Sequence, residues 1–449
     1  MSAVEAAAGK AQAMVRDSVK TVIAASMVGT AIEFYDFYAY GTAAANYFPE
    51  GVLRRHHQSD RRAAGQPADL RHRVHRTSAR ILGVRPFRRP HGPQDHAGGF
   101  AVDHGHRHVP DRLPADLQPV GHCAVAALCL CRFVQGIGLG GEWSGAALVA
   151  TENAPEDKRA LYGSFPELGA PIGFFLSNGT YFLLETFNDD DAMLAWGWRV
   201  PFLLSAVLVI VGLVVRVQME ETPIFRMAQE QKKVVKSPLT EVFKKSWKEV
   251  IQATFLVAVT YTLFYTLATW SLAWGTKTVE QGGGDLGFTN REYLLMLMLA
   301  ICVFAAFIVI SCVHADKFGR KRVIVISSCC LVAFALLFPF LLDPSVVGQR
   351  NFAANLLFLC IGFALMGTAF GPIGAFLPEL FDANVRYSGS GIGYNLAAIV
   401  CAAFVPTIAT WLSHHWGVHS VGLYLGVMAV CCLVAVLSCK ETKDVDFTK

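Results

Sequence analysis

Residues 293–342 read YLLMLMLAICVFAAFIVISCVHADKFGRKRVIVISSCCLVAFALLFPFLL. Two apolar runs, 293–313 and 323–342, flank a joint at 314–322 that holds Lys317, Arg320, Lys321 and Arg322. About 20 apolar residues of helix cross a hydrocarbon layer, so this stretch predicts two membrane spans joined by a short basic turn. Working outward, comparable runs lie at 21–48, 124–150, 161–184, 196–217, 250–275, 354–378, 391–412 and 421–438. The pattern predicts an all-α, polytopic membrane protein. Charged residues make up 16% of the 449, against about 25% in soluble domains. That balance excludes a disordered, collagen-like or nucleic-acid-binding chain.

The joints set an orientation. Lys10, Arg16 and Lys20 precede the first run, and Lys440 and Lys443 follow the last. The longest joint, 218–249, carries Arg226, Lys232, Lys233, Lys236, Lys244, Lys245 and Lys248. Alternate joints are acidic or neutral, as at Glu185 with Asp189, Asp190 and Asp191. Positive joints stay on the cytoplasmic side, so both termini and the central joint are expected there. No cleavable signal peptide is evident, because the first apolar run is too long for a signal core. Most of the 12 Cys lie inside apolar runs without zinc-like spacing, which suits small buried side chains rather than a metal site.

Residues 51–122 break the scheme. They hold 13 Arg, no Lys, 6 Asp and no Glu, a local charge of +7 in a chain whose total is +4. Nine His run through to His108 and His122 closes the stretch. Such a composition is what a GC-rich coding sequence gives when translated in a shifted frame. Under the genetic code, Pro86 to Gly99 is compatible with an in-frame H-F-G-D-R-x-G-R-K followed by apolar residues. Two spans are then expected to be hidden here, twelve in all, with parity and downstream orientation unchanged. A basic, His-rich external loop or metal-binding tract is the alternative.

The hidden G-D-R-x-G-R-K has a visible counterpart in Asp316-Lys317-Phe318-Gly319-Arg320-Lys321-Arg322. This resembles the loop signature of the major facilitator superfamily, with Cys312 where the signature usually begins with Gly. Pro155-Glu156-Asp157-Lys158-Arg159 is echoed by Phe381-Asp382-Ala383-Asn384-Val385-Arg386 in the second half. Within that superfamily the chain is similar to the metabolite:proton symporters. The stretches that carry this are Ile32–Tyr38, Arg132–Trp143, Trp198–Phe202, Glu220–Pro223 and Glu441–Asp444. The resemblance implies two six-helix halves, 21–217 and 250–438, with spans 2 and 3 lost within 51–122. It also implies a cytoplasmic N-terminus at 1–20, a cytoplasmic central loop at 218–249 and a cytoplasmic tail at 439–449. Members of that family carry carboxylates, shikimate-like acids, proline or betaines with protons. The resemblance further implies gating by the loop residues Asp316, Gly319, Arg320 and Lys321, for which simple topology-setting charge is the alternative.

Charges inside a span are costly and mark sites or buried pairs. Glu33 and Asp36 lie three apart on one helical face, joined by Tyr40. Two close carboxylates share a proton readily, which suits a proton carrier. The alternative is that one pairs with a basic residue and holds helices together. In the fourth span Arg132, Gln135, Glu142 and Trp143 fall within about a 100° arc. Arg132 offers a planar fork for a carboxylate; a fixed Arg132–acid pair is the alternative. The glycines from Gly136 to Gly141 suit close helix approach better than phosphate binding. Tyr261, Tyr265 and Trp270, with Tyr394 and Asn395, are candidates to complete a pocket from the second half, or else packing residues. His414, His415 and His419 are expected in a solvated loop.

The sequence therefore predicts a proton-coupled secondary transporter of a small organic acid or zwitterion, in the inner (plasma) membrane and monomeric. Its partners would be that substrate, protons and the lipid bilayer, with no nucleic acid, cofactor or metal. No nucleophile–base constellation supports an enzyme. An inactive frameshifted product, a sensor or a drug/proton antiporter are the rival readings; Gly169–Gly173 only loosely resembles the antiporter signature.

Overall fold

The computed structural model describes residues 24, 26–43, 47, most of 127–152, 154–220, 238–279 and 283–445. The shifted-frame reading of 51–122 and the two spans expected to be lost there fall outside the described residues, as do the basic residues before the first run. Every regular element among the described residues is helical.

The first helix, α1, covers 26–43. Helical residues at 129–133 and 135–136 lead toward α2, Glu142–Glu152. Then follow α3 (Arg159–Phe187), the short α4 (Asp190–Ala195) and α5 (Val200–Glu220). The second half opens with α6 (Pro238–Lys245) inside the central joint. Next is α7 (Trp247–Tyr265), which runs through a π-turn at Thr266–Trp270 into α8 (Ser271–Thr276). The long α9 (Asn290–Phe318) and α10 (Arg320–Leu342) come next, then the single turn α11 (Pro344–Val347). The chain continues with α12 (Phe352–Phe370) and α13 (Ile373–Glu379). It closes with α14 (Arg386–Ala397), a π-turn at Ala398–Ala402, α15 (Val405–Trp416) and α16 (Val418–Ser438).

Among the described residues, seven helical segments are long and apolar enough to cross a membrane, from Gly197–Val214 through Val418–Ser438. They coincide with the last seven predicted runs. The run at 161–184 lies within the 29-residue helix α3, but that helix carries buried Ser164, Glu167, Ser177 and Asn178, so polar groups interrupt its apolar run. One expectation needs correcting. His414 and His415 form the last turn of α15, and His419 opens α16; all three are exposed but helical. The turn between them is only Gly417, held at φ +79°, a conformation that favours glycine.

The burial pattern is that of a protein solvated by lipid. Leu203, Val207, Ile210 and Val214 project outward from α5 at helical spacing, each more than half exposed. Inside the second half, Phe304, Phe334, Phe338, Phe358 and Phe363 are almost fully buried and meet ring against ring. The first half closes by backbone approach instead. A Cβ at Gly173 of α3 would lie 2.7 Å from Ala31 O and Tyr35 N of α1. Only glycine permits that crossing, the usual device where lipid supplies no hydrophobic drive between helices. The joint between α9 and α10 is a single residue, Gly319, at φ +101°. The 29-residue α9 ends there because Gly319 turns the chain and α10 restarts at once with Arg320.

Candidate functional site

The site begins on α1. Helical spacing puts Asp36 and Tyr40 on one face, and the face turns inward: Asp36 is only 2% exposed. Arg132 reaches it across 96 residues of sequence, with Nη1 3.1 Å from Asp36 Oδ2. Gln135, one turn further on, donates from Nε2 to the same Oδ2 at 2.9 Å and accepts from Arg132 Nη1 at 2.5 Å. The guanidinium lies over the Tyr40 ring, 3.9 Å from its centroid. So Asp36, Tyr40, Arg132 and Gln135 form one cluster. The carboxylate accepts one bond from a cation and one from a neutral amide, both charge-assisted, and the cation is also stacked on an aromatic face. Glu33 sits half-buried one turn before Asp36. Glu142 opens α2, and its side chain is outside the described residues.

A second set of predicted residues meets where the halves face each other. Trp143 of α2 stacks on Tyr394 of α14, with ring centroids 3.9 Å apart and planes 7° from parallel. Tyr261 of α7 meets the same Tyr394 ring edge-on at 5.5 Å. Tyr38, two residues past Asp36, contacts Phe174 of α3 and Phe264 of α7. Tyr265 packs at right angles on Phe264. An aromatic layer thus adjoins the Asp36 helix, drawn from both halves. Asn395 donates to Gly391 O within its own helix. Trp270 lies elsewhere: its indole bonds Ser413 and stacks on Trp274 and Phe338 within the second half.

The loop residues expected to gate form a third cluster, at one end of the bundle. Asp316 accepts from the backbone of Ala160 (2.8 Å) and Leu161 (2.9 Å), the free amides at the start of α3. A carboxylate is favoured at a helix N-terminus, and here it comes from the other half. Arg320 Nη2 lies 3.2 Å from Asp316 Oδ1, and Nε lies 3.3 Å from Glu379 Oε2. Glu379 also faces Arg159 at 3.8 Å and accepts from the Thr442 hydroxyl. Glu441 takes the backbone N–H of Arg320 at 2.9 Å, and its carboxylate fills the space where a side chain on Gly319 would be. Arg159 donates to Val445 O, and Lys321 Nζ donates to Leu437 O and Cys439 O. The chain end is thereby strapped across both halves. At the opposite end, Glu185 of α3 accepts from Tyr47 and from Asn290 of α9, so α3 and α9 are tied at both extremities.

Sequence reasoning missed Arg159, Glu379 and Glu441 as partners of this loop, and missed Glu167, a carboxylate 1% exposed within α3. A charge within or at the edge of an apolar run was the available signal. It had singled out Glu33 and Asp36 and applies equally to Glu167 and Glu379. Cys312, the departure from the loop signature, is fully buried with Ala160, Ala315, Val323 and Ala375. A small apolar side chain suffices there.

A family model described as "Sugar (and other) transporter" matches residues 117–449. The inner membrane metabolite transport protein YhjE of Escherichia coli is 42% identical over 435 residues, 95% of each chain. The shikimate transporter of the same organism is 30% identical over 334 residues, 72% of each chain. Among solved structures, the proton:xylose symporter XylE of Escherichia coli superposes with a TM-score of 0.63 at 16% identity, covering 95% of this chain and 97% of that one.

Proposed function

The chain belongs to the sugar (and other) transporter family of the major facilitator superfamily, and from that premise we propose a proton-coupled symporter of a small organic acid or zwitterion. It is a multi-pass inner-membrane transporter of metabolites, not an enzyme. The finer reading rests on one observation, the buried Asp36–Arg132 pair with Gln135.

Charge bookkeeping explains why that pair suits coupling. A charge buried alone is costly, while a buried pair is tolerated. Empty, Asp36 carboxylate and Arg132 guanidinium cancel. If a proton from solution adds to Asp36, the guanidinium loses its anion and an excess positive charge remains. A substrate carboxylate that replaces Asp36 on Arg132 restores neutrality. Empty and fully loaded sites are therefore both neutral for a monoanion, and the half-loaded sites are not. Only the neutral forms pass cheaply through the occluded state, so proton and substrate move together. Gln135 holds Asp36 in place and keeps a donor for whichever group occupies the site. The stacked Trp143–Tyr394 pair, with Tyr261 and Tyr265, would contact the substrate body from the second half.

The same reading assigns alternating access to the bundle ends. With positive joints inside, the Asp316–Arg320–Lys321 loop lies on the cytoplasmic side, together with both termini. The cross-half bonds of Asp316 and Arg159 are then the cytoplasmic gate in its closed form, and opening must break them. Gly319 sets the geometry of that gate. The transporter works as a monomer, because both halves of the site come from one chain.

The test is uptake into proteoliposomes of the full chain, with radiolabelled shikimate and glycine betaine as probes. An inward proton gradient should drive accumulation of at least one, and a protonophore should abolish it. Accumulation insensitive to the gradient would overturn the coupling.

A further inference from the structure

Glu167 is the buried carboxylate that the Asp36 cycle does not use. It lies about two turns into α3, where that helix crosses α13 at the junction of the halves. The crossing is a backbone contact: a Cβ at Gly374 would lie 2.6 Å from Gly163 O and 3.0 Å from Glu167 Oε1. Glu167 is 1% exposed, and among the described residues neither oxygen has a hydrogen-bond partner within ordinary geometry. Among the described residues no Arg, Lys or His pairs with it. The contrast with Asp36 and Glu379 is direct, since both of those face guanidinium groups.

The described groups around it are apolar or neutral. From α13 comes the Gly374 backbone, whose N–H offers the carboxylate a donor outside ordinary hydrogen-bond geometry and opposes the effect of burial only in part. From α9 the nearest titratable group is the buried Cys312 thiol, and from α14 it is the Tyr394 phenol. On α2 the buried residues are Trp143, Ala147, Ala150 and Thr151, with Ser144, none of them charged. On α1, which touches α3 at Gly169 and Gly173, the backbone and side chain of Thr30 and the backbone of Ala31 make the approach. Of the two charged residues of that helix, Asp36 is held by Arg132 and Gln135, and Glu33 lies half-buried one turn before it.

An ionised carboxylate without a counter-ion is not stable in such a place. The effective cost of burying one charge alone is several kcal/mol, and the group takes a proton instead. We propose that Glu167 is a second proton-binding site of this transporter, occupied when the halves are closed along α3 and α13 and emptied when that crossing parts. Closure expels water from the crossing, and one proton from solution adds to a Glu167 oxygen to give the neutral acid. Opening lets water reach the carboxyl, and the O–H proton returns to solution as the carboxylate forms. No other bond changes. The site thus links a proton to the gate itself, whereas the Asp36 site links one to the substrate. The two are separable, because the Glu167 proton is bound even with no substrate present.

Infrared difference spectroscopy on the full chain in lipid vesicles reads this directly. At neutral pH, where exposed carboxylates are ionised, wild-type protein should show a protonated-carboxyl carbonyl band. Glu167→Gln should abolish the band; Asp36→Asn should leave it in place. Glu167→Asp, which keeps an acid, should retain a shifted band. A band unchanged in Glu167→Gln, or absent from wild type, would overturn the proposal. Thermal unfolding gives an independent arm that needs no band assignment. A closed state that binds an extra proton loses stability as pH rises above the unfolded carboxylate range, so the wild-type midpoint should fall relative to Glu167→Gln between about pH 5 and 9. A difference between the two that is constant with pH would contradict it. If gradient-driven uptake fails while the band behaves as stated, the Asp36 reading is at fault and this one stands.

Discussion

Two arginine–carboxylate clusters in this molecule use the same chemistry to opposite ends. At the centre, Arg132 faces a single carboxylate, Asp36, with one neutral amide, Gln135, and an aromatic face beside it. At the loop end, Arg320 meets two carboxylates, Asp316 and Glu379, while Arg159 shares the second. Backbone amides of α3 and of Arg320 itself, and a carbonyl of the chain end, add further bonds. The central cluster has one ionic bond, which on the proposed reading a substrate carboxylate replaces group for group. The loop-end cluster has many, from both halves, and no single incoming group replaces them. On the proposed reading the first exchanges a partner and the second is made or broken whole, so connectivity, rather than burial, separates a binding site from a latch.

Perturbing the clusters separately sharpens that contrast. The largest effect is expected from Arg132→Ala. It removes the substrate's anchor and leaves Asp36 buried without its cation, a loss of roughly 3–5 kcal/mol. Uptake should fall by about 100-fold or more, and radioligand binding should be lost with it. Arg320→Ala should cost a similar ~3–5 kcal/mol in folded stability but act differently on transport. Substrate binding from the cytoplasmic side should survive, and thermal unfolding in micelles should show the loss. If Arg320→Ala abolished binding as Arg132→Ala does, the distinction between site and latch would fail. Next in size, Gly319→Ala places a side chain at φ +101° against the Glu441 carboxylate. The conformation alone costs about 1–2 kcal/mol, and a lowered melting temperature without loss of binding is the expected result. The smallest effect belongs to neither cluster. Arg350 and Glu292 pair at 2.7 Å with side chains 62% and 35% exposed. Arg350→Ala should change stability by no more than about 1 kcal/mol and leave uptake unaltered.

Much of the fold was legible because the bilayer imposes length and hydropathy on each span separately. The stretch 293–342 displays α9, the one-residue joint and α10 without reference to anything distant. The predicted facing of Asp36, Arg132 and Gln135 was legible in part, since helical spacing puts Gln135 beside Arg132 and Tyr40 beside Asp36. That Arg132 reaches Asp36 was not, because spacing along one helix says nothing about which helix lies next to it. Glu33 and Asp36 looked like a carboxylate pair for the same reason. Glu167 and Glu379 were passed over because Pro166 and Pro378 precede them, and each resembles a break in an apolar run more than a buried acid. The role of Glu441 was hidden further still. Its contact with Arg320 joins the chain end to a loop 121 residues earlier, and only packing brings the two together.

The coupling assigned to Asp36 is tested most directly by comparing two transport modes in Asp36→Asn proteoliposomes, using whichever probe wild type carries. Asparagine keeps the shape and an acceptor for Arg132 but cannot cycle a proton. Exchange of internal for external substrate should continue, while accumulation driven by a proton gradient should vanish. Gradient-driven accumulation that persists in Asp36→Asn would contradict the account.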